Sequence, residues 1–201
     1  ASSDVLADTL FRQAGIIRVS TLEQLFDVAR VLVHQPLPAG RRVAIVGNSG
    51  GPGILAADAC VGAGLEVPEL STATQDALSA VLTPGAAVSN PVDLIASGSA
   101  ADYEAALNIV LADDAVDAAL VIFTDVTVTD PEEIAEALRQ VVAGGTTKPI
   151  AASFLSGEVG NAISARSPDG RRRDVPVFPF PEAPAIALGH MARLAAWRQR
   201  P

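Results

Sequence analysis

The chain has 201 residues, 49% of them hydrophobic and only 4% aromatic, with 14 basic and 23 acidic side chains and a formal net charge of −9. That length suffices for one substantial core plus an extra piece. The acidic balance and the shortage of aromatic rings argue against a nucleic-acid surface, and every long apolar run is broken by Gly, Pro or charge before it could span a membrane.

Two helical patterns open the chain, Asp4 to Ala14 and Thr21 to Val33, with a short extended piece, Gly15 to Val19, between them. Thr21 and Gln24 form a capping box for the second, and Leu22, Leu25, Phe26, Ala29 and Val33 make its expected apolar stripe. Pro36, Pro38 and Gly40 stop that helix and mark the best domain boundary in the chain. Two helices and a short strand cannot enclose a core, so residues 1–38 belong to something larger or lean on the main domain.

From residue 41 strands and helices alternate. Strands are expected at Val43 to Val46, Leu65 to Val67, Ala118 to Phe123, Pro149 to Phe154 and Val175 to Val177. Helices are expected at Ile54 to Ala63, Thr72 to Leu82, Ala101 to Ala112, Pro131 to Val142, around Gly157 to Ala165, and at Glu182 to Arg198. Residues 83–100 read as irregular. Right-handed crossovers then imply an α/β fold with a flavodoxin-like, doubly wound, five-stranded parallel sheet over 41–200. Cys60, on the first of these helices, can form no internal disulfide and reads as a small core residue. With no secretory pattern at the start of the chain, a cytoplasmic, reducing compartment is expected.

The segment RRVAIVGNSGGPGILAADAC, Arg41 to Cys60, combines a buried strand, a glycine-rich turn and a helix start. Gly50, Gly51 and Gly53 allow close approach of a ligand, and Pro52 fits the first helical turn, where its missing N–H breaks no bond. Free N–H groups and the positive end of the helix dipole favour phosphate or carboxylate. The segment is not a P-loop, because Ile54 and Leu55 stand where Lys and Ser or Thr are needed, and its glycine spacing is not that of a dinucleotide fingerprint. Chain reversal alone could also explain such a turn.

In doubly wound sheets ligands gather at the carboxyl ends of the strands. The loops 47–53, 124–131 and 155–158 should meet there, which makes Asp125 and Glu158 candidates to line a site. Pro91 forces Asn90 out of the α region, so Ser89 to Leu94 displays Asn90 and Asp93 at a fixed turn; local chemistry favours a structural Asx turn. Asp130 before Pro131 reads as a helix cap. His34 and His190 lack the neighbours of a nucleophile triad, no metal-ligand spacing stands out, and Arg171 to Arg173 read as a solvated loop.

Taken together, FRQAGIIRVSTLEQLFDVARVL, VAIVGNSGGPGILAADAC, SNPVDL, VIFTDVTVTDPEEIAEAL and PVFPFPEAPAIALGHMARLAAWR resemble the NDP-forming acyl-CoA synthetases, which include ADP-forming acetyl-CoA synthetase and succinyl-CoA synthetase. Modules of that family recur in bacterial protein lysine acetyltransferases. The resemblance implies that Asn48, Ser49, Gly50, Gly51 and Gly53 supply donors to phosphohistidine, phosphate or acyl phosphate, and it draws Asn90 and Asp93 toward the site. It implies a parent acid-CoA ligase using CoA, ATP or ADP, and Mg, with CoA-binding and ATP-grasp modules in the same parent or a partner subunit. Residues 1–38 would be the tail of a preceding ligase domain. The family's phosphorylated histidine matches neither His34 nor His190, so no catalytic residue is expected in this stretch, and the isolated chain should not turn over. The alternative is a metabolite-sensing module of an acetyltransferase.

Overall fold

The computed structural model describes residues 2–126, 128–155 and 159–200. Six strands form one sheet: β1 (Val43–Gly47), β2 (Val92–Asp93), β3 (Ala118–Phe123), β4 (Ile150–Phe154), β5 (Ala162–Ile163) and β6 (Val175–Phe178), in the order β2-β1-β3-β4-β6-β5. All pairings are parallel except the antiparallel edge pair of β5 with β6. Helices α1 (Ser2–Gln13) and α2 (Leu22–His34) precede the sheet. Within it run α3 (Gly50–Gly62), α4 (Thr72–Val81), α5 (Ala100–Ala112), α6 (Pro131–Ala143) and α7 (Glu182–Arg198). No helix among the described residues is long and apolar enough to cross a membrane.

Every residue of β1, β3 and β4 is buried, as parallel strands covered on both faces require. Alternation along β1 divides the core: Ala44 and Val46 join α4, α5 and α6 on one face, while Val43 and Ile45 join α2, α3 and α7 on the other. The doubly wound reading holds, with three local corrections. Leu65 to Val67 is no strand; Glu66 only bridges Arg42, and the edge beside β1 is taken by Val92–Asp93, inside the stretch read as irregular. The described part of the expected helix at Gly157 to Ala165 contains β5 instead. The helix expected from Ile54 begins at Gly50, so the glycines form its first turn.

Helix α2 also departs from its expected orientation. Leu22, Leu25, Phe26, Ala29 and Val33 face outward, Leu22 being 69% and Val33 75% exposed, and Val28 and Val31 are the buried pair. The helix is amphipathic, with Glu23, Gln24, Asp27, Arg30 and His34 on one side and this apolar stripe on the other, yet contact with α7 buries Val28 and Val31 and leaves the stripe outward. Gln35 then locks the helix end to the sheet: its side-chain amide accepts from Ile150 N (3.0 Å) and donates to the Asp174 carbonyl (2.6 Å), bridging the starts of β4 and β6. The opening segment thus leans on the main domain.

Candidate functional site

Two asparagines imitate peptide groups beside β1, Asn48 at its carboxyl end and Asn90 along its first residues. Asn48 is buried, accepts from Thr124 N and donates to Thr124 O, both at 2.9 Å, and so extends the pairing of β1 with β3 by one step. On the opposite edge Asn90 accepts from Ile45 N (2.9 Å) and donates to Val43 O (2.9 Å) and Pro68 O (3.0 Å). It fills the gap between the Glu66 bridge and β2. The Asn90 side chain thus acts as a substitute strand rather than forming the expected Asx turn. Both of its amide hydrogens are committed to the backbone.

Tyr103 of α5, the chain's one tyrosine, is fully buried beneath this end of the sheet. Its hydroxyl donates to Ile122 O (2.7 Å). Burial, followed by the nearby Asp93 charge, raises its pKa well above the ordinary value, so it stays a neutral donor. Nothing in local periodicity distinguished Tyr103 from an ordinary core residue; a lone tyrosine in an alanine-rich helix was the available signal.

Ser49 caps α3 in extended backbone without a side-chain hydrogen bond. The Gly53 N–H donates to Ser49 O (3.2 Å), which removes Gly53 from the expected donor set. Among the described residues the N–H groups of Gly50 and Gly51 have no acceptor, and no acidic residue of the helix's own first turn meets them. A Cβ on Gly51 would meet nothing within 4 Å, whereas one on Gly50 would lie 3.2 Å from Asp93 Oδ2. Asp93 thus stands beside the helix start. Its other oxygen accepts from Ile95 N (2.9 Å), and Ile95 is held at φ 56°, a left-handed backbone rare for a β-branched residue.

The loop after β3 reaches the same end of the sheet. Thr129 Oγ1 donates to Gly98 O (3.0 Å), tying it to the turn after β2, and Asp125 is exposed there. Asp130 caps α6 through Glu132 N (2.8 Å), as expected. Thr127 and Glu158 lie outside the described residues. The hydroxyls of Thr124 and Ser153, at the ends of β3 and β4, are buried without a hydrogen-bond partner among the described residues.

Other candidates lie elsewhere. His34 Nδ1 is 3.8 Å from the buried Asp174, and His190 is lowered to about 4, chiefly by burial and then by Arg193. Burial raises the Cys60 thiol to about 12, in keeping with a core residue. The 171–173 loop is less solvated than expected: Arg173 is buried and donates to Thr146 O and Lys148 O, and Arg172 pairs with Asp174 at 2.6 Å. Among the described residues no cluster of His, Cys, Asp and Glu could hold a metal ion.

The chain is a doubly wound α/β domain with a glycine-built helix start at the carboxyl end of its first strand, the end of such sheets where ligands gather. Residues 43–197 match the Ligase-CoA domain, and the chain belongs to that family. It is 35% identical to the acetate–CoA ligase (ADP-forming) II subunit alpha of Pyrococcus furiosus over 96% of this chain and 43% of that protein. It is 30% identical to the corresponding I subunit alpha over 100% of this chain and 43% of the relative. The crystal structure of PH0766 from Pyrococcus horikoshii superposes with a TM-score of 0.81 at 30% identity, covering 98% of this chain and 45% of that one. The chain thus spans less than half the length of these relatives.

Proposed function

We propose that this chain is the ligase domain of an NDP-forming acyl-CoA synthetase, whose parent interconverts acyl-CoA, phosphate and NDP with acid, CoA and NTP, and that the start of α3 receives the phosphoryl group. The observation that carries the reading is Gly50 with Gly51: two consecutive N–H groups without an acceptor at a helix start, one on a residue whose missing side chain nothing in the chain requires. Backbone donors there stabilise an anion by about 0.3–2 kcal/mol, depending on burial. The donor set narrows from the expected five residues to Ser49, Gly50 and Gly51, because Asn48 and Gly53 serve the sheet and the helix. CoA, the nucleotide and Mg would be held by CoA-binding and ATP-grasp modules of the same parent or a partner subunit. We read residues 1–38 as the tail of a preceding ligase domain, a reading supported by the outward apolar residues of α1 and α2, and we take the compartment to be the cytoplasm.

Titration of the chain with inorganic phosphate, followed through the amide signals of Ser49, Gly50 and Gly51, tests the cradle. Saturable shifts confined to this loop are expected. Gly51→Ala should weaken them several-fold while leaving stability unchanged or raising it by about 0.5–1 kcal/mol, since alanine is the better helix former. Equal phosphate binding by the two proteins would refute the role of Gly51, and no response in either would refute the cradle as a feature of this chain.

A further inference from the structure

We propose that the cleft between α2 and the start of α7 is a docking groove for a basic amphipathic helix of another polypeptide. The cavity has a volume of about 340 Å³. Its floor is apolar, made by Val28 of α2 and by Ala183, Ile186 and Ala187 of α7, and Phe180 stands at its edge, 63% exposed. Glu23 and Asp27 line the α2 side and Glu182 the α7 side, and no lysine or arginine lines it.

The charge balance selects the occupant. Arg30 of α2, which neutralises Asp27, is already engaged: it pairs with Asp27 at 2.7 Å, lies over the Phe178 ring at 4.6 Å, and donates to the Asn161 and Val177 carbonyls. Glu23 and Glu182 sit in the first turns of their helices, where they complement the dipoles. Each dipole end is equivalent to roughly half an elementary charge, so negative charge remains in excess. A second copy of this chain, with a net charge of −9, would add acid to acid. A small organic cation would call for carboxylates converging inside the cavity, whereas Glu23 and Glu182 are exposed side chains.

Geometry favours a helix as the basic partner. Glu23 and Asp27 are four residues apart on α2, which brings their Cβ atoms within about 5–6 Å of each other. Lysines or arginines at the same spacing on an incoming helix can meet them while an apolar residue between enters the floor, the groove mode of amphipathic-helix recognition. The whole chain's negative field steers such a partner toward the cleft.

The test uses the 201-residue chain and two blocked 14-residue amphipathic helical probes of one leucine pattern, one bearing lysine and the other glutamate on its polar face. Amide spectra should show saturable shifts at Val28, Ala183, Ile186 and Ala187 with the lysine probe, at least tenfold weaker binding of the glutamate probe, and at least fivefold weaker binding of the lysine probe to Glu23→Gln/Glu182→Gln. Equal binding of both probes, an unaffected double variant, shifts centred on the outward residues of α1, or no shifts at all would overturn the proposal. So would the same shifts on concentrating the chain alone, which would identify a second copy as the occupant.

Discussion

Asn48→Asp isolates the peptide-mimicking role of the first asparagine, because the two side chains differ by an NH2 group against an oxygen. The substituted carboxylate can still accept from Thr124 N, but it faces the Thr124 carbonyl with an acceptor in place of the donor now 2.9 Å away. Asn48 is 2% exposed, so water cannot relieve the conflict. An unsatisfied buried carbonyl costs about 1–3 kcal/mol, and a buried charge without compensation brings the total to about 3–5 kcal/mol at neutral pH. Protonation restores the donor, so the introduced carboxyl should have a folded-state pKa above its unfolded value of about 3.9. The folded variant then binds the proton more tightly than the unfolded one. Its deficit relative to the native chain should be small near pH 4 and grow by about 1.4 kcal/mol per pH unit until the folded pKa is passed. Urea denaturation of both proteins between pH 4.5 and 8 measures this difference, with the titration of other carboxylates cancelling. A deficit below about 1 kcal/mol at pH 7, or one that does not change with pH, would refute the account.

Gln35→Leu keeps the bulk of the side chain but strands the Ile150 N–H and the Asp174 carbonyl, and should cost about 2–4 kcal/mol. Hydrogen exchange reads the mechanism directly: faster exchange at the Ile150 amide is expected, and an unchanged rate there would contradict the latch. Asp113 is pushed upward by partial burial, but hydrogen bonds from Thr74, Ala115 and Ser71 outweigh that and bring it down to about 2. Its depressed folded pKa stabilises the fold above the unfolded value of about 3.9, a contribution lost as pH falls through about 2. Asp113→Asn should therefore remove about 2 kcal/mol at pH 7 and flatten the loss of thermal stability between about pH 4 and pH 2, as followed by circular dichroism; an unchanged acid limb would show that other carboxylates dominate it.

The strands of the central sheet were legible because they are continuous apolar runs, and α7 because its pattern is long. Local chemistry also predicted the Thr21 and Asp130 caps, which accept from Gln24 N and Glu132 N. The edge of the sheet was not legible. Val92–Asp93 is two residues long, and it pairs with β1 alongside a stretch where the Asn90 side chain does the work of a strand backbone. No propensity scale registers that substitution. In the candidate site the glycines were legible from the strand-turn-helix pattern, whereas Asp93 was drawn toward them only by the family resemblance. The loss of Asn48 and Gly53 as donors, and the presence of Tyr103 beneath them, depend on partners 76, 4 and 19 positions away in the chain.

The sequence by itself determined the layered α/β architecture, since burial on both faces writes itself into consecutive apolar residues, and it located the glycine-rich turn after the first strand, though it placed the helix start at Ile54 rather than Gly50. Only the tertiary structure decided which face of α2 is buried: its apolar stripe is plain in the sequence, yet contact with α7 buries Val28 and Val31 at the edge of that stripe and leaves Leu22, Leu25, Phe26, Ala29 and Val33 outward. It also decided which polar groups remain available to a ligand. Asn48, Asn90 and Gln35 could each have faced solvent or a substrate; backbone groups of β1, β3, β4 and β6 that would otherwise be buried without partners claimed them for the sheet.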